Sequence, residues 1–206
     1  MPDRSRAANE LTIMMTDVVG STELRRTYGD QDADDILTLQ AAIVQHQVAA
    51  FGGRVRKSLG DGFLISFPSE VAAVHAAVAI QRALEEHNTA EPQRAVEVRI
   101  GVHSGQVAER DGDLLGQAVH ATARVMTEAV GGEILITDEI RKHAEPQLDY
   151  SFLDSGLFWL RDSLSCGGCT RCLGTTPRRG RGPVLCEPHS PLSSNGKPRE
   201  RAYASW

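Results

Sequence analysis

Cysteine is missing from most of this chain. All four cysteines of the 206 residues lie beyond residue 165, so residues 1–162 have neither a disulfide frame nor thiol chemistry. No apolar run approaches the ~18 to 20 residues of a membrane span, and the N-terminal MPDRSRAANE lacks the apolar stretch of a secretory signal. A cytoplasmic protein with no membrane partner is therefore expected. Basic charge is scarce as well, with 22 Lys/Arg against 27 Asp/Glu. The deficit is uneven: residues 163–206 hold seven Lys/Arg and two Asp/Glu, which leaves the preceding 162 residues at a net −10. An acidic body argues against nucleic acid as a partner, because phosphate backbones require a basic face. An acidic protein that handles polyphosphates needs divalent cations to do so.

What is present suits one globular domain with an appendage. Hydrophobic residues make up 41% and charged residues 24%, both ordinary for a domain of this length. The cysteines, five of the nine prolines and the positive charge all gather after Asp162. The expected division is a flexible N-terminus over 1–8, a domain over 9–162 and a basic, disordered tail over 163–206. Within that tail Cys166, Cys169 and Cys172, with Cys186 and His189, also stand at spacings that zinc accepts.

The stretch RVRKSLGDGFLISF (54–67) predicts two strands joined by a tight turn at Gly60-Asp61-Gly62. Such a hairpin is either a plain solvated turn or a rigid holder for one carboxylate. Upstream, LTIMMTDVV (11–19) reads as a strand buried on both faces, with Asp17 near its end. A carboxylate there is costly unless it meets a cation, or else it merely caps the following turn. Gly20-Ser21-Thr22 follows. The glycine turns the chain, Ser21 or Thr22 can cap, and the free N–H groups of the next helix form an anion site.

Periodicity predicts a long helix over 30–51 and a second after Ser69, in which His75 and His87 read as surface residues. A strand spans 96–108, with Val96, Val98, Ile100 and Val102 on one face and His103-Ser104 at its end. A turn covers 109–113. Gly116 opens a helix to about Val130 with Val119, Ala123, Met126 and Val130 as its buried stripe; His120 and Arg124, four apart, project together. A strand over 133–137, a short helix capped by Asp138 and a strand or hairpin over 150–160 complete the order. The fold class predicted is α/β (α+β): a ferredoxin-like core, an antiparallel sheet of βαββαβ topology with helices packed on one face.

In such a sheet the strands carrying Asp17 and Asp61 can be neighbours. Two aspartates beside a Gly-Ser-Thr anion site suit a pair of Mg²⁺ ions gripping a nucleoside triphosphate. Lys57 precedes Asp61 by four residues, roughly 13 Å of extended chain. It reaches either the far end of a long ligand or a second copy of the site.

Taken together, LTIMMTDVVGSTELR, RVRKSLGDGFLISF, VRIGVHSGQV and DLLGQAVHATARV…GGEILIT resemble, in order, the motifs of the class III nucleotidyl cyclases, and in particular a bacterial branch with Gly-Ser-Thr after the first metal aspartate. The resemblance covers about residues 9–160. It implies conversion of ATP to 3′,5′-cyclic AMP and pyrophosphate by a homodimer whose active sites are shared between two copies. By the same resemblance Asp17 and Asp61 bind two Mg²⁺ or Mn²⁺ ions, Lys57 and Asp113 read an adenine base, and Arg124 stabilises the phosphates. The pattern breaks at His120, which stands where the family has a ribose-orienting asparagine. Two outcomes follow from that substitution, a weak adenylate cyclase or a catalytically silent module that binds nucleotide or a partner domain.

Overall fold

The computed structural model describes residues 9–110, 112–157 and 168–173. Strand β1 (Asn9–Val18) lies inside the sheet. It pairs antiparallel with β3 (Phe63–Phe67) on one side and β4 (Val98–Arg110) on the other. That position accounts for the apolar run in its sequence, since both faces are covered. β2 (Arg54–Ser58) completes the hairpin with β3, and β6 (Ile134–Thr137) runs parallel to β4. The strand order is β2-β3-β1-β4-β6-β8-β7, where β7 is Ser151–Leu157 and β8 is Gly168–Leu173; β5 (Asp113–Leu115) pairs with β4. With α1 (Ser21–Ala50) and α2 (Glu70–Ala90), the first four strands form the predicted antiparallel βαββαβ core.

Strand alternation divides the core into two layers. Met14, Val18, Ile65, Phe67, Ile100 and Val102 face α1, α2 and α4 (Asp138–Ala144). Ile13, Met15, Leu64 and Val107 face the opposite way, where α3 (Gln117–Glu128) packs through Ala118. Helices therefore cover both faces, not one as expected. Glycine makes room for the second layer. A methyl on Gly101 would fall 2.3 Å from the Met126 amide nitrogen, and one on Gly105 would fall 2.8 Å from Ala118 Cβ. These two positions, four apart on one strand face, let α3 lie flush on β4. The helix is also rotated by about one residue from the predicted stripe: Ala118, Ala121, Thr122 and Val125 are buried, while Val130 is 44% exposed.

Other local expectations are met or corrected by identifiable contacts. Gly29, at φ 80°, interrupts α1, which separates the short turn after Gly20 from the long helix predicted to start at Asp30. Ser69 caps α2 by accepting from the Ala72 amide. Asp138 does not cap α4; its carboxylate accepts from Arg141 and pairs with Lys142. His75 is half-buried, stacked on Phe51 and hydrogen-bonded to the Tyr150 hydroxyl. His87 is half-buried against the Arg94 carbonyl. Neither is the surface residue the spacing suggested. Because β4 runs on to Arg110, His103 and Ser104 sit in mid-strand: Ser104 exchanges a buried hydrogen bond with Thr12, and His103 Nδ1 meets Thr137 Oγ1 at 3.2 Å. β8 falls within the segment expected to be a disordered tail, so the sheet extends past Asp162. Of the zinc spacing, Cys169 and Cys172 belong to β8, and Cys166, Cys186 and His189 lie outside the described residues.

Two stability predictions follow. Gly101→Ala drives a methyl into the α3 backbone and is expected to cost about 1–3 kcal/mol, seen as a lower urea midpoint; an unchanged midpoint would mean that α3 can shift away freely. Burial pushes the His103 imidazole below its usual value, with Glu139 opposing. The unfolded chain then takes up a proton more readily than the folded one, so this contribution is complete above about pH 6.5 and is lost as the pH falls below it. His103→Asn should flatten the acid side of the stability profile between pH 7.5 and 5. The difference between the two profiles isolates His103, because His143, raised by its bond to Glu70, acts in the opposite sense in both proteins.

Candidate active site

Asp17 and the turn bearing Asp61 come together through β1–β3 pairing. The Phe63 amide donates to Thr16 Oγ1 at 3.1 Å. Gly62 lies so close that a methyl there would sit 2.0 Å from the Thr16 carbonyl oxygen and 3.1 Å from Asp17 Cα. No side chain larger than hydrogen is admitted, so the turn rests directly on β1. Gly60, at φ 90°, supplies the left-handed residue that a turn this tight demands. The chain then leaves β1 through Gly20, also left-handed at φ 73°, and Ser21 opens α1. Neither Ser21 nor Thr22 caps it: Gly20 holds the capping position without a side-chain bond. The first-turn amides therefore receive no bond from a capping side chain.

Asp17 projects on the α3 side of the sheet, opposite Arg99 on β4. Arg99 donates to Asp17 Oδ2 through Nε at 2.9 Å and Nη2 at 2.6 Å, and its Nη1 reaches the Thr127 carbonyl at 3.4 Å. One guanidinium thus fixes the carboxylate and ties it to the end of α3. Among the described residues, Oδ1 of Asp17 accepts no hydrogen bond, and the half-buried Asp61 carboxylate accepts none on either oxygen. Partly buried acceptors left in this state suit a cation. No group of three or more His, Cys, Asp or Glu gathers to hold one among the described residues. A pair of carboxylates that relies on ligand oxygens for the remaining coordination is the arrangement that Mg²⁺ or Mn²⁺ with a polyphosphate requires, and the residues present fit it.

Lys57 and Asp113 meet directly, Nζ to Oδ2 at 2.7 Å. The contact depends on a β-bulge in β2. Val55 pairs with Ile65, but the next rung joins Lys57 to Leu64, so Arg56 is an extra residue. Regular alternation would send Lys57 to the face of Val55, under the helices. The bulge instead places it on the face of Leu64, where Asp113 begins β5. Lys57 beside it holds the Asp113 carboxyl below the usual carboxylate range, which keeps it an acceptor at neutral pH. His120 is exposed on α3, and Arg124, one turn on, is half-buried. Both lie on the helix that covers this face.

Thr16, Arg99 and Arg56 belong to the site yet carry no motif. For Thr16 and Arg99 a signal existed: a polar residue inside the apolar run of each strand, one rung apart across the β1–β4 pairing.

The chain matches the family model described as the adenylate and guanylate cyclase catalytic domain over residues 4–164. It is 35% identical over 149 residues to a protein of Rhizobium meliloti (strain 1021) provisionally named adenylate cyclase 3; the match covers 70% of this chain and 25% of that protein, so the chain spans about a quarter of that curated relative. Among solved structures, the adenylyl cyclase CyaB from P. aeruginosa superposes with a TM-score of 0.74 at 21% identity, covering 86% of this chain and all of that one. An adenylate/guanylate cyclase/hydrolase from Silicibacter pomeroyi gives 0.72 at 24%, covering 82% and 99%. The ferredoxin-like core and the ordered motifs thus have one explanation: the chain belongs to the family of adenylate and guanylate cyclase catalytic domains.

Proposed function

We propose that this domain is an adenylate cyclase, of the bacterial branch with Gly-Ser-Thr after its first aspartate, and that it cyclises ATP at sites shared by two copies. The ribose 3′-hydroxyl attacks the α-phosphorus, the bond to the bridging oxygen breaks, and pyrophosphate leaves as 3′,5′-cyclic AMP forms. The observation that carries the reading is the Lys57–Asp113 contact. A base entering there exchanges that contact for two of its own. Lys57 donates, which suits the ring N1 of adenine, and ionised Asp113 accepts, which suits its 6-amino group; guanine offers the reverse pattern.

Asp17 and Asp61 would hold two divalent cations, which when bound lower the pKa of the hydroxyl and offset the charge on pyrophosphate. Arg99 keeps the Asp17 carboxylate oriented for that role. The α1 amides after Gly20, with Ser21 and Thr22, receive phosphate oxygens. Arg124 of the second copy stabilises charge on the phosphates, and His120 lies where the ribose is oriented. A shared site is further supported by exposed apolar residues around these groups: Val19, Leu59 and Leu115 are 41%, 45% and 43% exposed, each two residues from Asp17, Asp61 or Lys57, or Asp113. Such surface favours burial against another chain.

His120 favours a second reading, a nucleotide-binding module without turnover, because imidazole presents its donor at a different reach from an amide. On the first reading His120→Asn should raise ATP turnover, by up to about 10²–10³-fold; a variant no faster than the parent would remove the substitution as the brake. Mixing separates the shared site from a self-contained one. Asp17→Asn and Lys57→Ala are each expected to be inactive in cyclic AMP assays with Mn²⁺ and ATP. Combined in equal amounts they should recover about a quarter of parental activity, since half of the dimers are mixed and each of those has one intact site. No recovery would indicate a site built within a single chain.

A further inference from the structure

The neighbour of Lys57 within β2 is a partly buried side chain that the proposed reaction does not use. Arg56 is the extra residue of the β2 bulge, and its side chain is only 12% exposed. Nε donates to Ser66 Oγ on β3 at 2.7 Å, and Nη1 donates to Glu109 Oε1 on β4 at 3.1 Å. Glu109 pairs across the β4–β5 hairpin with Leu114, and the next rung is Arg110 with Asp113. One guanidinium therefore joins the hairpin that carries Lys57 to the hairpin that carries Asp113, a single rung from each base-reading residue. The Lys57–Asp113 pair cannot fix its own spacing. It is exposed, 53% on the lysine and 36% on the aspartate, and such pairs hold geometry weakly. A planar fork bonded to two acceptors on two different strands holds it far better, and a lysine could not duplicate it.

We propose that Arg56 is a specificity-determining positioning residue, whose bridge from Ser66 to Glu109 sets the separation of Lys57 and Asp113 and thereby the preference for one purine base over the other. This rests on the reading of Lys57 and Asp113 as the base-reading pair. Discrimination requires both contacts to the base at once, because it is a difference between two affinities. When the brace is lost, Asp113 is free to drift from Lys57, so one contact can form without the other. The phosphate side of the site depends on Asp17, Asp61 and the start of α1, which Arg56 does not touch.

The test compares kcat/KM for ATP and GTP in the parent, Arg56→Lys, Arg56→Met, Glu109→Gln and the double variant, with Arg141→Ala as a control that loses two ion pairs, to Asp138 and Glu145. Melting temperatures are measured for all of them. The expected result is a drop of tenfold or more in the ATP-to-GTP ratio for Arg56→Met, through a raised KM for ATP with kcat little changed. Glu109→Gln should shift the ratio the same way, the double variant no further than the worse single one, and Arg56→Lys part of the way. Arg141→Ala should leave the ratio alone. A ratio within about twofold of the parent, or equal losses for both nucleotides tracking a lower melting temperature, overturns the proposal. If the parent binds nucleotides without turnover, the cyclase reading fails by itself, and the ratio of ATP and GTP dissociation constants from calorimetry tests Arg56 in the same way. A parent with no preference between the two overturns this proposal together with the base-reading assignment.

Discussion

The candidate site depends on one close approach. Gly62 lies against the Thr16 carbonyl at a distance that no β-carbon could occupy, and the Phe63 amide beside it is taken by the Thr16 hydroxyl. These contacts press the β2–β3 turn onto β1 where the strand reaches Asp17. Had Gly62 been any other residue, the turn would have to lift and carry Asp61 with it. The backbone segments that carry Asp17 and Asp61, 44 residues apart in sequence, are thus brought together by backbone geometry. The Arg99 guanidinium holds the Asp17 carboxylate from the neighbouring strand.

Much of this was legible in the sequence because the decisive residues are ones whose chemistry is restricted. Gly60-Asp61-Gly62 reads as a turn because few other triplets tolerate its backbone, and the buried run ending in Asp17 reads as a strand with a misplaced charge. The βαββαβ core follows from the order of strand, helix, hairpin, helix and strand. Lys57 and Asp113, 56 residues apart, were paired through resemblance rather than through any property of their spacing, and the structure brings them to 2.7 Å.

What escaped the sequence did so for physical reasons. Nothing in RVRKS marks a bulge, because an extra residue in a strand leaves no compositional trace; only the broken register between Val55 and Lys57 shows it. The side of the sheet chosen by α3 was also hidden. The residues that decide it, Gly101 and Gly105, act through the side chains they lack, and they read as ordinary members of a strand. Val119 and Met126 look better suited to burial than Ala118 and Ala121, yet a helix lying this near a strand favours small side chains beneath it. The six-residue strand β8 was missed because the tail around it has the proline, glycine and charge of a linker.

The bulge in β2 has a bearing on how a sequence of this kind can diverge. Point substitutions at position 57 exchange one functional group for another in a fixed location, beside Asp113. Loss of one residue between Lys57 and the turn at Gly60-Asp61-Gly62 does something different in kind: it slides the lysine one rung, from Leu64 to Phe63, and turns it toward the packed interior. Homologous chains should therefore vary in what they present at this point while keeping the residue count between it and the turn that follows.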